Sequence, residues 1–334
     1  MGSNRASVNV VLNFAAQSTW FGCENYTTST YTPVHCQSRQ CEIIRGEGCS
    51  GCNLPRPPRP GCTNDTCGTG AYNPFQGVLV SQGFGEDTLY SKDGKLVPGF
   101  IFSCMQREYR EGLASGATGV GKLSVGGTRS STSSISLKAT PLIINPNSTA
   151  PSYTVGDPSY EYFIDVKSIR VDGKALFVKN SYFSFDKDGV GGTRISLINN
   201  FTAVHNSIYK PLARAFTKAA SNMKIKSVAA VAPFRACFSS SSISRTPSGP
   251  SVPAIDLVLP GNDVYWRISG ANSMAEIDRN TMCLAFVDGG SRPRTSIMIG
   301  AHQLEENFLE FNLVSSQLRF SSSLLVQNKR CSDL

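Results

Sequence analysis

The chain has 334 residues, 40% hydrophobic and 17% charged, a balance that excludes a disordered polymer and predicts two lobes with separate cores. No apolar run approaches the roughly 20 residues needed to cross a bilayer, so no membrane association is expected. The net charge of +8 comes with no dense Lys/Arg cluster interleaved with aromatics. That argues against nucleic acid and leaves a solvated basic surface, with acidic cell-wall polysaccharide as the polyanion to consider.

In chain order, the opening Met-Gly-Ser-Asn-Arg-Ala carries no apolar h-region, so a secretion signal is expected upstream, and Ala6 breaks the myristoylation pattern. Short strands are predicted over residues 8–14, 77–81, 99–104 and 160–171, the last with Tyr162, Ile164 and Val166 on one buried face. Further strands are expected at 256–259, 264–269, 282–287, 296–299 and 308–320. One helix is predicted from Asn206 as its cap, with Pro211 in its first turns and Ile208, Leu212, Ala215, Phe216 and Ala219 forming its apolar stripe. The Ser/Gly-rich stretch between Gly121 and Leu137 reads as a linker. A lobe boundary is expected soon after it, giving lobes 1–140 and 141–334. The chain reads as mainly β.

Eleven cysteines are many for a reducing compartment and ordinary for a secreted protein. Four N-glycosylation acceptors agree, at Asn25, Asn64, Asn147 and Asn200. Cys49-x-x-Cys52 followed by Cys62 and Cys67 has the spacing of a four-thiolate zinc site. Cys36 and Cys41 just upstream and the Pro-rich loops between them favour a disulfide cluster instead, and no metal is expected.

Other chemistry is weak. Residues 116–122 have the glycine and lysine spacing of a phosphate-cradling loop, but Leu123 replaces the hydroxyl residue that would hold magnesium. No cofactor is expected. The three histidines, His35, His205 and His302, accompany no Gly-x-Ser-x-Gly elbow and read as structural. Asp186 and Asp188 flank a lysine in a Gly-rich turn and read as solvated.

Several blocks resemble the plant pepsin-like glycosidase inhibitors, a family that includes extracellular dermal glycoproteins, xyloglucanase and wheat-type xylanase inhibitors and basic legume-seed globulins. The blocks are residues 12–23, the cysteine-rich loop through Cys67, 99–119, 160–171, 191–209 and nearly all of 249–331. The most specific are Ser251-Val-Pro-Ala-Ile-Asp-Leu-Val-Leu, Val287-Asp-Gly-Gly-Ser-Arg-Pro-Arg-Thr-Ser-Ile and Gln303-Leu-Glu-Glu-Asn. The resemblance implies an all-β, bilobal, pepsin-like double barrel. Active members of that fold need two Asp-Thr/Ser-Gly turns whose carboxylates share a proton and activate one water. Here Asn13 and Ser196 stand at the two acid positions, with Ala15 and Ala16 following the first, so the resemblance implies no proteolysis.

It implies instead that basic loops of the C-terminal lobe enter the cleft of a microbial endoglucanase or xylanase, where a guanidinium pairs with a catalytic carboxylate. The matching loops carry Arg245 and, in a second and shifted loop, Gln327 and Asn328 about where the xyloglucanase inhibitors carry arginine, with Lys329 and Arg330 just after. It also implies a Cys23–Cys104 and a Cys237–Cys283 bridge and leaves Cys331 unpaired, the framework being odd because the family's strand, helix and cysteine between 121 and 136 are missing. The N-terminal lobe therefore reads as incomplete. The other readings are a secreted aspartic endopeptidase and a seed-storage, peptide-binding or degenerate relative.

Overall fold

The computed structural model describes all residues except 4, 6–12, 15–17, 24–25, 27, 52–63, 91–95, 106–133, 150–156 and 334. The chain divides into two units, residues 1–118 with 150–152, and residues 119–149 with 153–334. The expected strand at 8–14, the phosphate-type loop at 116–122 and most of the Ser/Gly stretch lie outside the described residues. The units are mostly β, as expected, but their sheets are open paths rather than closed barrels.

The first unit is built on a meander, Thr66–Asn73, Val78–Tyr90 and Leu96–Cys104, paired antiparallel in that order. Trp20–Phe21 adds to its edge in parallel with Ser103 and Cys104. The expected strand at 77–81 is thus the start of a 13-residue strand, and that at 99–104 is most of a nine-residue one. Phe21 stacks on Phe102 with centroids 4.5 Å apart, and Tyr26 meets both rings edge-on. A second apolar cluster joins Val34, Cys41, Cys67 and Phe84.

The second unit holds an eight-stranded sheet. Its order is Phe286–Asp288, Thr202–Val204, Ile297–Ile299, Thr193–Ile195, Phe163–Ile164, Lys138–Ile143, Gln317–Phe320 and Leu309–Asn312. Lys138–Ile143 is hydrogen-bonded on one side to Gln317–Phe320 and on the other to Phe163–Ile164, both strands of the second unit. Thr193–Ile195 runs parallel to Ile297–Ile299, and Thr202–Val204 runs parallel to Phe286–Asp288. These two parallel pairs bring residues 196 and 300–303 together. A four-stranded sheet, Lys174–Ala175, Ser168–Val171, Ile255–Val258 and Tyr265–Ile268, packs Trp266 against Phe320 at 4.9 Å.

Three continuous strand predictions break in the structure. Residues 160–171 become Phe163–Ile164 in one sheet and Ser168–Val171 in another, turning at Val166, and both faces are buried at Phe163 and Ile164. Glu161, expected on the outer face, is also buried. It pairs with Arg194, whose second amino group reaches Met298 Sδ at 2.7 Å, and burial pushes the Arg194 guanidinium down to about 10. Residues 282–287 split between two sheets, and 308–320 is a hairpin.

The predicted helix spans Asn206–Asn222 and buries Ile208, Tyr209, Leu212, Phe216 and Ala220, so the apolar stripe lies slightly to one side of Ala215 and Ala219. Its cap is His205, not Asn206: His205 Nδ1 accepts from the Ser207 N–H at 3.0 Å, while the Asn206 amide donates to Asp288 Oδ2 at 2.7 Å.

Candidate functional site

Ser196 ends the strand Thr193–Ile195 and is 4% exposed. Its N–H donates to Ile299 O at 2.9 Å, and its hydroxyl donates to Asn199 Oδ1 at 2.9 Å. The turn 196–202 is locked onto residues 299–303, since Ala301 N–H donates to Asn199 O and His302 N–H to Asn200 O. Only glycine fits at 300, where a Cβ would lie 2.4 Å from the Phe201 carbonyl carbon. The Ser196 hydroxyl is therefore engaged within its own turn, and a hydroxyl there offers no carboxylate to share a proton. Asn13 is half-buried, while Ala15 and Ala16 lie outside the described residues.

Gln303, 1% exposed, holds this turn from behind. Its Oε1 accepts from Thr202 N–H at 2.8 Å and from the Thr202 hydroxyl at 2.7 Å, and its Nε2 donates to Asn272 O and Ala285 O at 2.9 Å each. The resemblance marked Gln303 only as part of a matching block. A glutamine between two apolar elements is the one sequence signal of its role.

Arg245 stands on a two-stranded ribbon, Arg245–Thr246 against Gly249–Pro250. Thr246 Oγ1 donates across the turn to Gly249 O at 2.8 Å. Gly249 lies at φ +100° with its Cα against Ala271, where a Cβ would come within 2.5 Å of the Ala271 nitrogen, so the base of the ribbon is fixed. Arg245 pairs with Glu276 at 2.9 Å, both side chains more than half exposed. A solvated pair of this kind is worth about 0–1 kcal/mol and yields readily to a better acceptor.

The C-terminal loop carries the other four expected contact residues, Gln327, Asn328, Lys329 and Arg330. Leu324 is buried beneath a short 3-10 turn, and Asn328 is left-handed at φ 54°. Gln327 exchanges two hydrogen bonds with the Ser136 backbone, at 2.8 and 3.2 Å, and Lys329 Nζ donates to Ser134 O at 2.7 Å and to its hydroxyl. Two of the four expected contact residues in this loop are thus turned onto their own chain. The exposed Asn328 and Arg330 side chains remain.

Four disulfides stand among the described residues, Cys23–Cys104, Cys36–Cys49, Cys41–Cys67 and Cys237–Cys283. Both bridges implied by resemblance are present, and Cys49 and Cys67 are not available for zinc. Cys52 and Cys62 lie outside the described residues. Cys331 is free; burial, and then the Glu306 carboxylate, push its thiol up. Asn64 and Asn200 are exposed, Asn147 donates its amide to Lys187 O at 2.7 Å, and Asn25 lies outside the described residues. His205 caps a helix and His302 faces Met274 O at 3.0 Å, structural roles as expected. Asp186 folds its carboxylate onto the N–H groups of Asp188 and Val190, and both acids are exposed.

Residues 1–140 match the xylanase inhibitor N-terminal family and residues 161–322 the xylanase inhibitor C-terminal family. A probable aspartic proteinase of Nicotiana benthamiana, GIP2, is 39% identical over 98% of this chain and 85% of its own. Gamma conglutin 1 of Prunus dulcis is 34% identical over 93% of this chain and 79% of its own. The first alignment runs over 380 positions against the 334 residues of the chain, so that relative carries segments with no counterpart here. The crystal structure of edgp has a TM-score of 0.88 at 38% identity, and that of basic 7S globulin from soybean 0.77 at 28%, each over 98% of this chain and 91% of its own. By sequence and by mostly-β pepsin-like architecture, the chain belongs to the xylanase inhibitor family.

Proposed function

We propose that this protein is a secreted, catalytically inactive pepsin-like protein that inhibits a microbial glycoside hydrolase, a xyloglucan-type endoglucanase in preference to a xylanase. The observation that carries the reading is the Ser196 turn: the residue that the family resemblance assigns to an acid position is a buried hydroxyl bonded to Asn199. With Asn13 at the partner position, no carboxylate pair is available to activate water. What the fold still offers is rigid, exposed loops. Arg245 supports the inhibitory reading because its ribbon is fixed while its guanidinium is held only by a solvated glutamate. Four disulfides support an oxidising compartment, and among the described residues no helix is long and apolar enough to cross a membrane.

The test mixes disulfide-intact protein with a panel of fungal and oomycete endoglucanases and xylanases. Inhibition of at least one is expected, and Arg245→Ala weakens it at least tenfold, the scale of a lost desolvated charge pair. No inhibition across the panel by cooperatively folding protein removes the proposal. Acid-pH proteolysis blocked by a transition-state peptide establishes instead the activity carried in the names of the proteinase relatives.

A further inference from the structure

The helix Asn206–Asn222 carries no acidic residue. Its charges are Lys210, Arg214 and Lys218, spaced four apart and all exposed. At about 1.5 Å per residue they form one line with a step of roughly 6 Å. Like charges four apart each cost a few tenths of a kcal/mol in a helix, and among the described residues no carboxylate pairs with any of the three. Beside this line lies an open groove of about 470 Å³ whose near wall is Arg214, Thr217, Lys218 and Ser221 and whose far wall is Arg235. Asp288 lies 3.6 Å from the Arg235 guanidinium, which stays two-thirds exposed, and the Cys237–Cys283 disulfide anchors the segment two residues on. The groove thus presents three cations from two directions with hydroxyl groups between them.

We propose that this groove binds a linear acidic polysaccharide, a chain of uronic acid residues, with carboxylates on Arg214, Lys218 and Arg235 and sugar hydroxyls on Thr217 and Ser221. Charge complementarity selects an anion. A neutral glucan is disfavoured because no aromatic ring lines the groove for sugar stacking, and a single-stranded nucleic acid lacks the same ring for its bases. The disulfides fit an oxidising compartment, and on the secreted reading proposed above the abundant polyanion is matrix polysaccharide rather than nucleic acid. This site is separate from the Arg245 ribbon and does not rest on inhibition.

The experiment measures binding of the disulfide-intact protein to immobilised polygalacturonate, with xyloglucan, heparin and duplex DNA as parallel probes, across a salt series. Binding to polygalacturonate but not to xyloglucan is expected, with log affinity falling linearly against log salt. Arg214→Gln/Lys218→Gln/Arg235→Gln weakens it about tenfold or more and flattens the salt slope. Lys174→Gln/Lys179→Gln/Lys187→Gln removes the same charge from elsewhere and leaves the affinity within about threefold. Melting curves of both variants establish that they fold, and unchanged hydrolase inhibition by the groove variant separates this site from the other. Equal losses in the two variants, no binding at low salt, or tighter binding of heparin or DNA through the same three residues overturns the proposal.

Discussion

Gln303 makes four hydrogen bonds in a site with 1% exposure, and replacing it tests whether the turn bearing Ser196 is held as described. Gln303→Leu keeps the volume but leaves the Thr202 N–H and hydroxyl and the Asn272 and Ala285 carbonyls without this partner. Each buried group so stranded costs about 1–3 kcal/mol, offset in part by roughly 2 kcal/mol of apolar transfer, for a net loss of about 4 kcal/mol. In a unit of this size that lowers Tm by roughly 10 °C. Gln303→Glu adds a sign. Its carboxylate still accepts from Thr202 but faces two carbonyl oxygens, so its folded-state pKa is raised above the unfolded value of about 4.3. Its stability is then fullest below about pH 4 and is lost as pH rises through the raised value. Thermal and urea denaturation at pH 4 and pH 7 read both effects. A loss under about 1 kcal/mol for the leucine variant, or a glutamate variant equally stable at both pH values, refutes the reasoning.

Burial opposes ionisation of Asp87, but the Thr30 and Tyr26 hydroxyls, each at 2.6 Å, and the Thr88 N–H at 2.7 Å outweigh it, so its carboxyl lies below the usual range. The stability it contributes is present above about pH 4 and is lost as pH falls through the folded-state value, so Asp87→Asn should flatten the acid limb of the denaturation curve. Removing Cys237–Cys283, which closes a loop of 46 residues, should cost about 4 kcal/mol in the chain-entropy account, read by urea titration of Cys237→Ala/Cys283→Ala. Cys331 should react with iodoacetamide more slowly than free glutathione at pH 7, and Glu306→Gln should speed it; equal rates in parent and variant count against the assigned cause.

The sequence showed the mainly-β class, the helix and two of the bridges because each depends on local pattern or on a resemblance dense in motifs. It misplaced what depends on crossings between sheets. At residues 160–171 the alternating pattern hid a chain that changes sheets at Val166, and Glu161 looked solvent-facing because its partner, Arg194, lies 33 residues away. The cap was assigned to Asn206 by residue type, yet that amide is drawn to Asp288 and the imidazole before it takes over. Gln327 and Lys329 looked free because the segment they bind, Ser134–Ser136, reads as linker. The basic line of the helix escaped a search for clustered charge because helical spacing disperses Lys210, Arg214 and Lys218 along the sequence.

The strand Lys138–Ile143 has consequences for biosynthesis. Its neighbour Gln317–Phe320 is made 174 residues or more later along the chain, which at 5–20 residues per second is a delay of roughly 10–35 s. Until then an interior strand of the large sheet has a bare edge on that side. The sheet can close only once Phe320 has been made, so a chain cut short before Gln317 should expose that edge and be retained by quality control.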